Sequence, residues 1–204
     1  MADLTLFRQS PLDHRALPTR AQANLGEARF GLNELRFRSV VNLRVRRDDP
    51  AARQAVESAL GASLPKVGKA WVVGDATLYG IGPDEWLAVG GHGPATAQRL
   101  RDASAGQFVG VTDVTENYTT FVASGPAARE ILAKGCPLDL HPKQFQPGDV
   151  AGSVIAKATV VLNLVSEEAG DARFEVLVRR SFADYLFRWL EDAARDVGVA
   201  VRDN

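Results

Sequence analysis

Few residues in this chain combine the types and spacing that chemistry requires. The three histidines, His14, His92 and His141, lie far apart, without a His-x-x-x-His or His-Glu-x-x-His spacing. A metal site would have to be assembled from distant segments by the fold. Cys136 and His141 are close enough to suggest a thiol–imidazole pair, yet Cys136 lies between Gly135 and Pro137, where a small buried residue is the ordinary occupant. Ser124 lacks the Gly-x-Ser-x-Gly surroundings of a nucleophile elbow, and its hydroxyl is placed to cap a helix starting at Pro126. Asp113 and Glu116 form the one carboxylate pair at the entrance to a strand. They suit either an amine or pterin contact or plain turn formation. The run Gly90-Gly91-His92-Gly93-Pro94 opens a helix but matches neither the dinucleotide fingerprint nor a P-loop. No residue is assigned a catalytic, cofactor-binding or metal-binding role on these grounds.

The elements around these residues follow from periodicity and punctuation. Residues 1–25 carry Pro11 and Pro18 with scattered apolar residues (Leu4, Leu6, Phe7, Leu12) and no sustained period, which predicts an irregular arm. From Leu35 to Arg46, Leu35, Phe37, Val41, Leu43 and Val45 alternate with Arg36, Arg38, Asn42, Arg44 and Arg46, predicting one half-buried strand with a basic outer face. Such a face is ordinarily solvated, or it meets an acidic partner or an anionic ligand. Asp48-Asp49-Pro50 then opens a helix with the stripe Ala52, Val56, Ala59 and Leu60, closed by Gly61. Three short strands are expected over 69–73, 76–81 and 85–89, joined by Gly74-Asp75 and Gly82-Pro83-Asp84, followed by a helix over 94–103.

The second half repeats the first. A strand over 109–122 leads into GPAAREILAKGCPLDL, which echoes DPAARQAVESALGASLP, with Pro126 to Arg129 matching Pro50 to Arg53 and Pro137 matching Pro65. Strands over 150–165 and 173–178 follow, then a helix over 181–197 whose Leu190-Glu191-Asp192-Ala193 echoes Leu100-Arg101-Asp102-Ala103. Ser181 and Asp184 read as a capping box. Phe182, Tyr185, Leu186, Trp189, Leu190, Ala193 and Val197 form the core stripe, and Phe187 with Trp189 offers a partner-facing edge. The fold class is α+β: two strand–helix–strand–strand–helix units, about 26–105 and 106–204, packed as one domain with helices over a mostly antiparallel sheet.

Composition narrows the function classes. Of 204 residues, 24 are Lys or Arg and 25 Asp or Glu, so the basic footprint of a nucleic-acid or anionic-membrane binder is missing. A single cysteine precludes an internal disulfide and fits a reducing compartment. No apolar run reaches a membrane-spanning length and the start lacks a signal-peptide core, which together predict a cytoplasmic protein.

The segment DVTENYTTFVASGPAAREILAKGCPLDLHP, with Phe145 and Gly148 after it, resembles the gamma subunit of heterotetrameric sarcosine oxidase. SPLDHR at 10–15, GIGPDEWLAVG at 80–90, the strand pair around Leu162 and Val176, and RSFADYLFRWLEDA at 180–193 extend the resemblance over nearly the whole chain, with the shortest match around Asp13. The strand followed by a Gly-Pro helix is also similar to the aminomethyltransferase (glycine cleavage T-protein) superfamily. The resemblance implies a non-catalytic chain working beside alpha, beta and delta subunits in a complex. That complex converts sarcosine to glycine, hydrogen peroxide, and formaldehyde or methylene-tetrahydrofolate. FAD, FMN, NAD and the tetrahydrofolate site would belong to alpha and beta, and zinc to delta. The alternatives are an independent folate-binding or aminomethyl-transferring protein and a stand-alone interaction domain.

Overall fold

The computed structural model describes residues 8–23, 28–91 and 93–201, so Leu4, Leu6, Phe7 and His92 lie outside the described residues. The chain runs α1 (Leu17–Ala23), β1 (Phe30–Leu35), β2 (Val40–Val45), α2 (Pro50–Leu60), β3 (Ala70–Val73), β4 (Ala76–Gly82), β5 (Glu85–Gly90), α3 (Gly93–Ala103), β6 (Val109–Asp113), β7 (Tyr118–Gly125), α4 (Ala128–Ala133), β8 (Val150–Ile155), β9 (Ala158–Glu168), β10 (Asp171–Arg179), α5 (Ala183–Ala193) and β11 (Val199–Val201). The strands make two sheets, in the orders β11-β1-β7-β10-β9-β8 and β3-β4-β5-β2-β6. Every pairing is antiparallel except β1 with β11.

Period-2 alternation sorts each strand into two faces and produces four layers. Phe30, Leu32, Phe121, Phe174 and Val176 of the larger sheet pack against Ile131 and Leu132 of α4 and Leu186, Phe187 and Leu190 of α5. Val41, Leu43, Leu78 and Trp86 of the smaller sheet pack against Ala52 and Val56 of α2 and Ala97 and Leu100 of α3. The inner faces meet through Val40, Tyr79, Leu87, Val89, Val150 and Leu177.

Asp49 caps α2 through the Ala52 N–H at 2.9 Å, and Gly61 ends it at φ 71°, as the sequence predicts. Arg53 at the start of α2 donates to the Leu64 carbonyl at 3.3 Å, and Arg129 at the start of α4 donates to the Leu140 carbonyl. Each guanidinium thus holds the loop eleven residues on, which makes Leu140 the physical counterpart of Leu64 and displaces the Pro137–Pro65 match.

Several expectations are corrected. The strand over 35–46 is two strands in different sheets, because Phe37 adopts φ 57° and turns the chain; its ring is partly exposed instead of lying on the buried side. The strand over 109–122 is likewise split into β6 and β7 by a turn at Thr115–Asn117. The strand over 150–165 is the β8–β9 hairpin, turned by Ala156 at φ 51°. The arm includes the helix α1 and buries Leu12 and Leu17 against the larger core. The last helix starts at Ala183 with no side-chain cap, because Asp184 is taken by Arg15 and His14. Phe187 is fully buried, edge-on to Phe121 at 5.6 Å, and the exposed aromatics of that helix region are Phe182 and Tyr185.

Candidate functional site

The two crossings between sheets meet at one place. The Val114 N–H donates to the Val40 carbonyl at 2.9 Å and the Val40 N–H to Thr115 Oγ1 at 3.0 Å, so the β1–β2 turn and the β6–β7 turn are stitched together. Gly93 fits here because a Cβ would lie 2.7 Å from Ser39 Cβ. Around this seam lies a cleft of about 860 Å³ whose rim carries Arg8, Ser39, Asp113, Glu116 and Arg180.

The predicted carboxylate pair therefore does come together, with one oxygen of each acid already accepting a hydrogen bond. Asp113 Oδ1 accepts from the Thr115 N–H at 3.0 Å, an ordinary turn role. Glu116 Oε1 accepts from Arg8 Nε at 2.7 Å, with Arg180 Nη1 at 3.9 Å from its other oxygen. Arg180 also donates to the Gln9 carbonyl at 2.6 Å, so this cleft ties the N-terminal segment to the body. The Arg8 guanidinium covers the Phe37 ring at 4.9 Å.

The remaining sequence candidates are dispersed. Cys136 is buried with Sγ 3.5 Å from Ser153 Oγ, while His141 Nδ1 accepts from the Lys143 N–H at 3.2 Å, so each has a different partner. His14 contacts Asp184 at 2.8 Å. Ser124 belongs to β7, and α4 has no side-chain cap, which corrects the capping expectation. Among the described residues, no three His, Cys, Asp or Glu side chains cluster to hold a metal, and no helix is long and apolar enough to cross a membrane. The basic residues of the predicted outer face are each paired: Arg36 with Asp13, Arg38 with Glu175, Arg44 with Glu85 at 3.0 Å and Arg46 with Asp48 at 2.6 Å.

A polar seam between the sheets escaped the sequence reading. Glu175, on the inner face of β10, accepts from Tyr79 Oη at 2.7 Å, and Asn163 Nδ2 donates to the same phenol at 3.4 Å. Arg38 Nη1 lies 2.5 Å from the Glu175 carboxylate as an ion pair without hydrogen-bond alignment. Burial first, and the Glu175 charge second, push the Tyr79 phenol far above its ordinary value, so it remains a donor. The available signal was a Glu and an Asn at inward positions of otherwise apolar strands.

The comparisons agree on one family. Residues 44–196 match the family described as sarcosine oxidase, gamma subunit. The chain is 32% identical over 203 residues to sarcosine oxidase subunit gamma of Corynebacterium sp. (strain U-96), covering 98% of this chain and 96% of that one. A chain of the heterotetrameric sarcosine oxidase from Corynebacterium sp. U-96, solved with pyrrole 2-carboxylate, matches with TM-score 0.83 and 29% identity over 97% of this chain and 98% of that one. The glycine cleavage system aminomethyltransferase T from Bartonella henselae shares the fold, with TM-score 0.61 and 17% identity over 88% of this chain and 52% of that one. By family match and by identity over nearly its full length, this chain belongs to the sarcosine oxidase gamma subunit family.

Proposed function

We propose that this chain is the non-catalytic gamma subunit of a heterotetrameric sarcosine oxidase. The observation that carries this reading is the reciprocal, near-complete coverage between this chain and the gamma subunit: neither has a substantial segment that the other lacks. In the full proposal the partners are alpha, beta and delta subunits in the cytoplasm. FAD, FMN, NAD and tetrahydrofolate sit in alpha and beta, and zinc in delta. The complex oxidatively demethylates sarcosine to glycine.

The cleft supports a structural role for this chain. Each acid of its carboxylate pair already accepts a hydrogen bond, Asp113 from the Thr115 N–H and Glu116 from Arg8, contacts that organise the turn and hold the N-terminal segment. Replacing Asp113 by Asn and Glu116 by Gln in the assembled complex is expected to leave sarcosine turnover per flavin within about twofold of wild type. A fall of roughly a hundredfold with assembly intact, the scale of a lost general acid or base, would contradict the non-catalytic assignment. The alternative of an independent aminomethyl-transferring protein has less behind it, because the chain spans only 52% of the aminomethyltransferase and shares its fold at 17% identity.

A further inference from the structure

The two halves of the chain exchange their first strands. β1 opens the first half yet pairs antiparallel with β7 of the second, and β6 opens the second half yet pairs antiparallel with β2 of the first. The exchanged strands are equivalent in place but not in surroundings. On the far side of β1 lies β11, parallel to it, with Phe30 opposite Val199 and Leu32 opposite Val201. On the far side of β6 no strand follows among the described residues, and β6 ends its sheet.

The ladder fixes which backbone groups of β6 face outward. Because the Val114 N–H is bonded to Val40, alternation turns Gly110 and Thr112 toward β2 and Val109, Val111 and Asp113 away from it. The Val109 N–H turns back to the Gln107 carbonyl at 3.0 Å, and the Val111 carbonyl receives Arg101 Nε at 3.3 Å and Nη2 at 3.2 Å. Arg101 is an exposed side chain on α3 and can swing aside, which would leave the outward edge at Val109 and Val111 about as long as the three-residue contact that β1 makes with β11. Immediately before β6, Phe108 is 81% exposed, whereas Phe30 at the start of β1 is fully buried. Phe108 borders a groove of about 670 Å³ with Val45, Pro83 and Val109, and with the charged residues Arg44, Arg46 and Glu85.

We infer that the β6 edge is the docking site for an extended apolar segment of another subunit, which adds to β6 in the parallel sense as β11 adds to β1 and rests a side chain against Phe108. This rests on the gamma-subunit reading above. The internal counterpart identifies the kind of occupant, since the fold itself covers the equivalent edge with the apolar strand Val199–Val201. Among the described residues, the chain's own strand of that type is already used on the other sheet. Strand addition supplies main-chain bonds along the edge, and the groove supplies side-chain selectivity.

The test uses the full chain, free and in complex with the subunits that co-purify with it. Amide exchange at Val111 is expected to slow by at least about tenfold in the complex, and Phe108→Asp and Val111→Pro are each expected to cut the amount of complex recovered by about tenfold. Phe108→Asp should keep the free chain's circular dichroism and melting temperature, because Phe108 is largely exposed. Val111→Pro keeps the bonds to β2 but loses packing of Val111 against the α2–α3 core, so it should keep the circular dichroism while melting at a somewhat lower temperature. Recovery of a flavin-containing complex with unchanged Val111 exchange and full assembly of both variants would overturn the docking site while leaving the gamma-subunit reading intact. Failure of the wild-type chain to recover any flavoprotein would overturn both. A free chain that dimerises until Phe108→Asp makes it monomeric, while that variant still assembles, would assign the edge to a second copy and overturn the proposal.

Discussion

At the scale of single residues, the seam between the sheets holds a buried charge. Glu175 is a buried carboxylate held by the Tyr79 phenol and the Arg38 guanidinium. Tyr79→Phe removes one donor and is expected to lower stability to urea by about 1–2 kcal/mol. Arg38→Met leaves the charge without its counter-ion and is expected to cost more, about 3 kcal/mol; an Arg38 variant as mild as Tyr79→Phe would contradict the role given to the ion pair. Glu167 gives a pH-dependent prediction. The hydrogen bonds from Arg129, at 2.8 and 2.6 Å, hold its carboxyl below the usual carboxylate range, against burial, which acts the other way. A carboxyl depressed in the folded state contributes stability that is present above its unfolded pKa and is lost as pH falls through its folded pKa. Glu167→Gln should therefore be less stable than wild type at neutral pH, with the gap closing in acid. A gap that stays constant on acidification would show that the pair contributes through packing alone.

At the scale of elements, close approach explains both what holds and what was hidden. Gly135 follows α4 where a Cβ would stand 2.5 Å from Trp189 Cη2, so Gly135→Ala should force α4 and α5 apart and cost about 1–3 kcal/mol in thermal or urea unfolding. Unchanged stability would mean that Trp189 swings away freely. The helix α2 was legible because each end carries its own chemistry, Asp49 with Pro50 at the start and Gly61 at the end. The two crossings between sheets were not legible, because the chain reverses there without Gly or Pro, and the turn signal of Asp113 falls inside the strand expected over 109–122. Phe37 occupies a left-handed backbone conformation that bulky side chains rarely adopt, and the run Val114 to Asn117 contains neither Gly nor Pro. Ala156 hides the β8–β9 hairpin in the same way. In the last helix, periodicity found the right face at Leu186 and Leu190, but tertiary contacts placed Phe187 inside and took Asp184 from the cap.

At the scale of the whole molecule, the repeated PAAR stretches marked a duplication that the structure expresses as two sheets sharing exchanged first strands. The candidate carboxylates Asp113 and Glu116 were visible as a pair, and the structure does set them in one cleft. Their arginine partners, Arg8 and Arg180, come from opposite ends of the chain, which no local pattern reveals. As the gamma subunit proposed above, this body serves a larger oxidase without doing its chemistry. The most direct test is to purify the tagged full chain from its own cells at gentle salt, read flavin absorbance, and assay the eluate for sarcosine-dependent peroxide. Co-elution with larger flavin-containing subunits and peroxide formation that requires sarcosine is the predicted result. A colourless chain that elutes alone and yields no peroxide would contradict it.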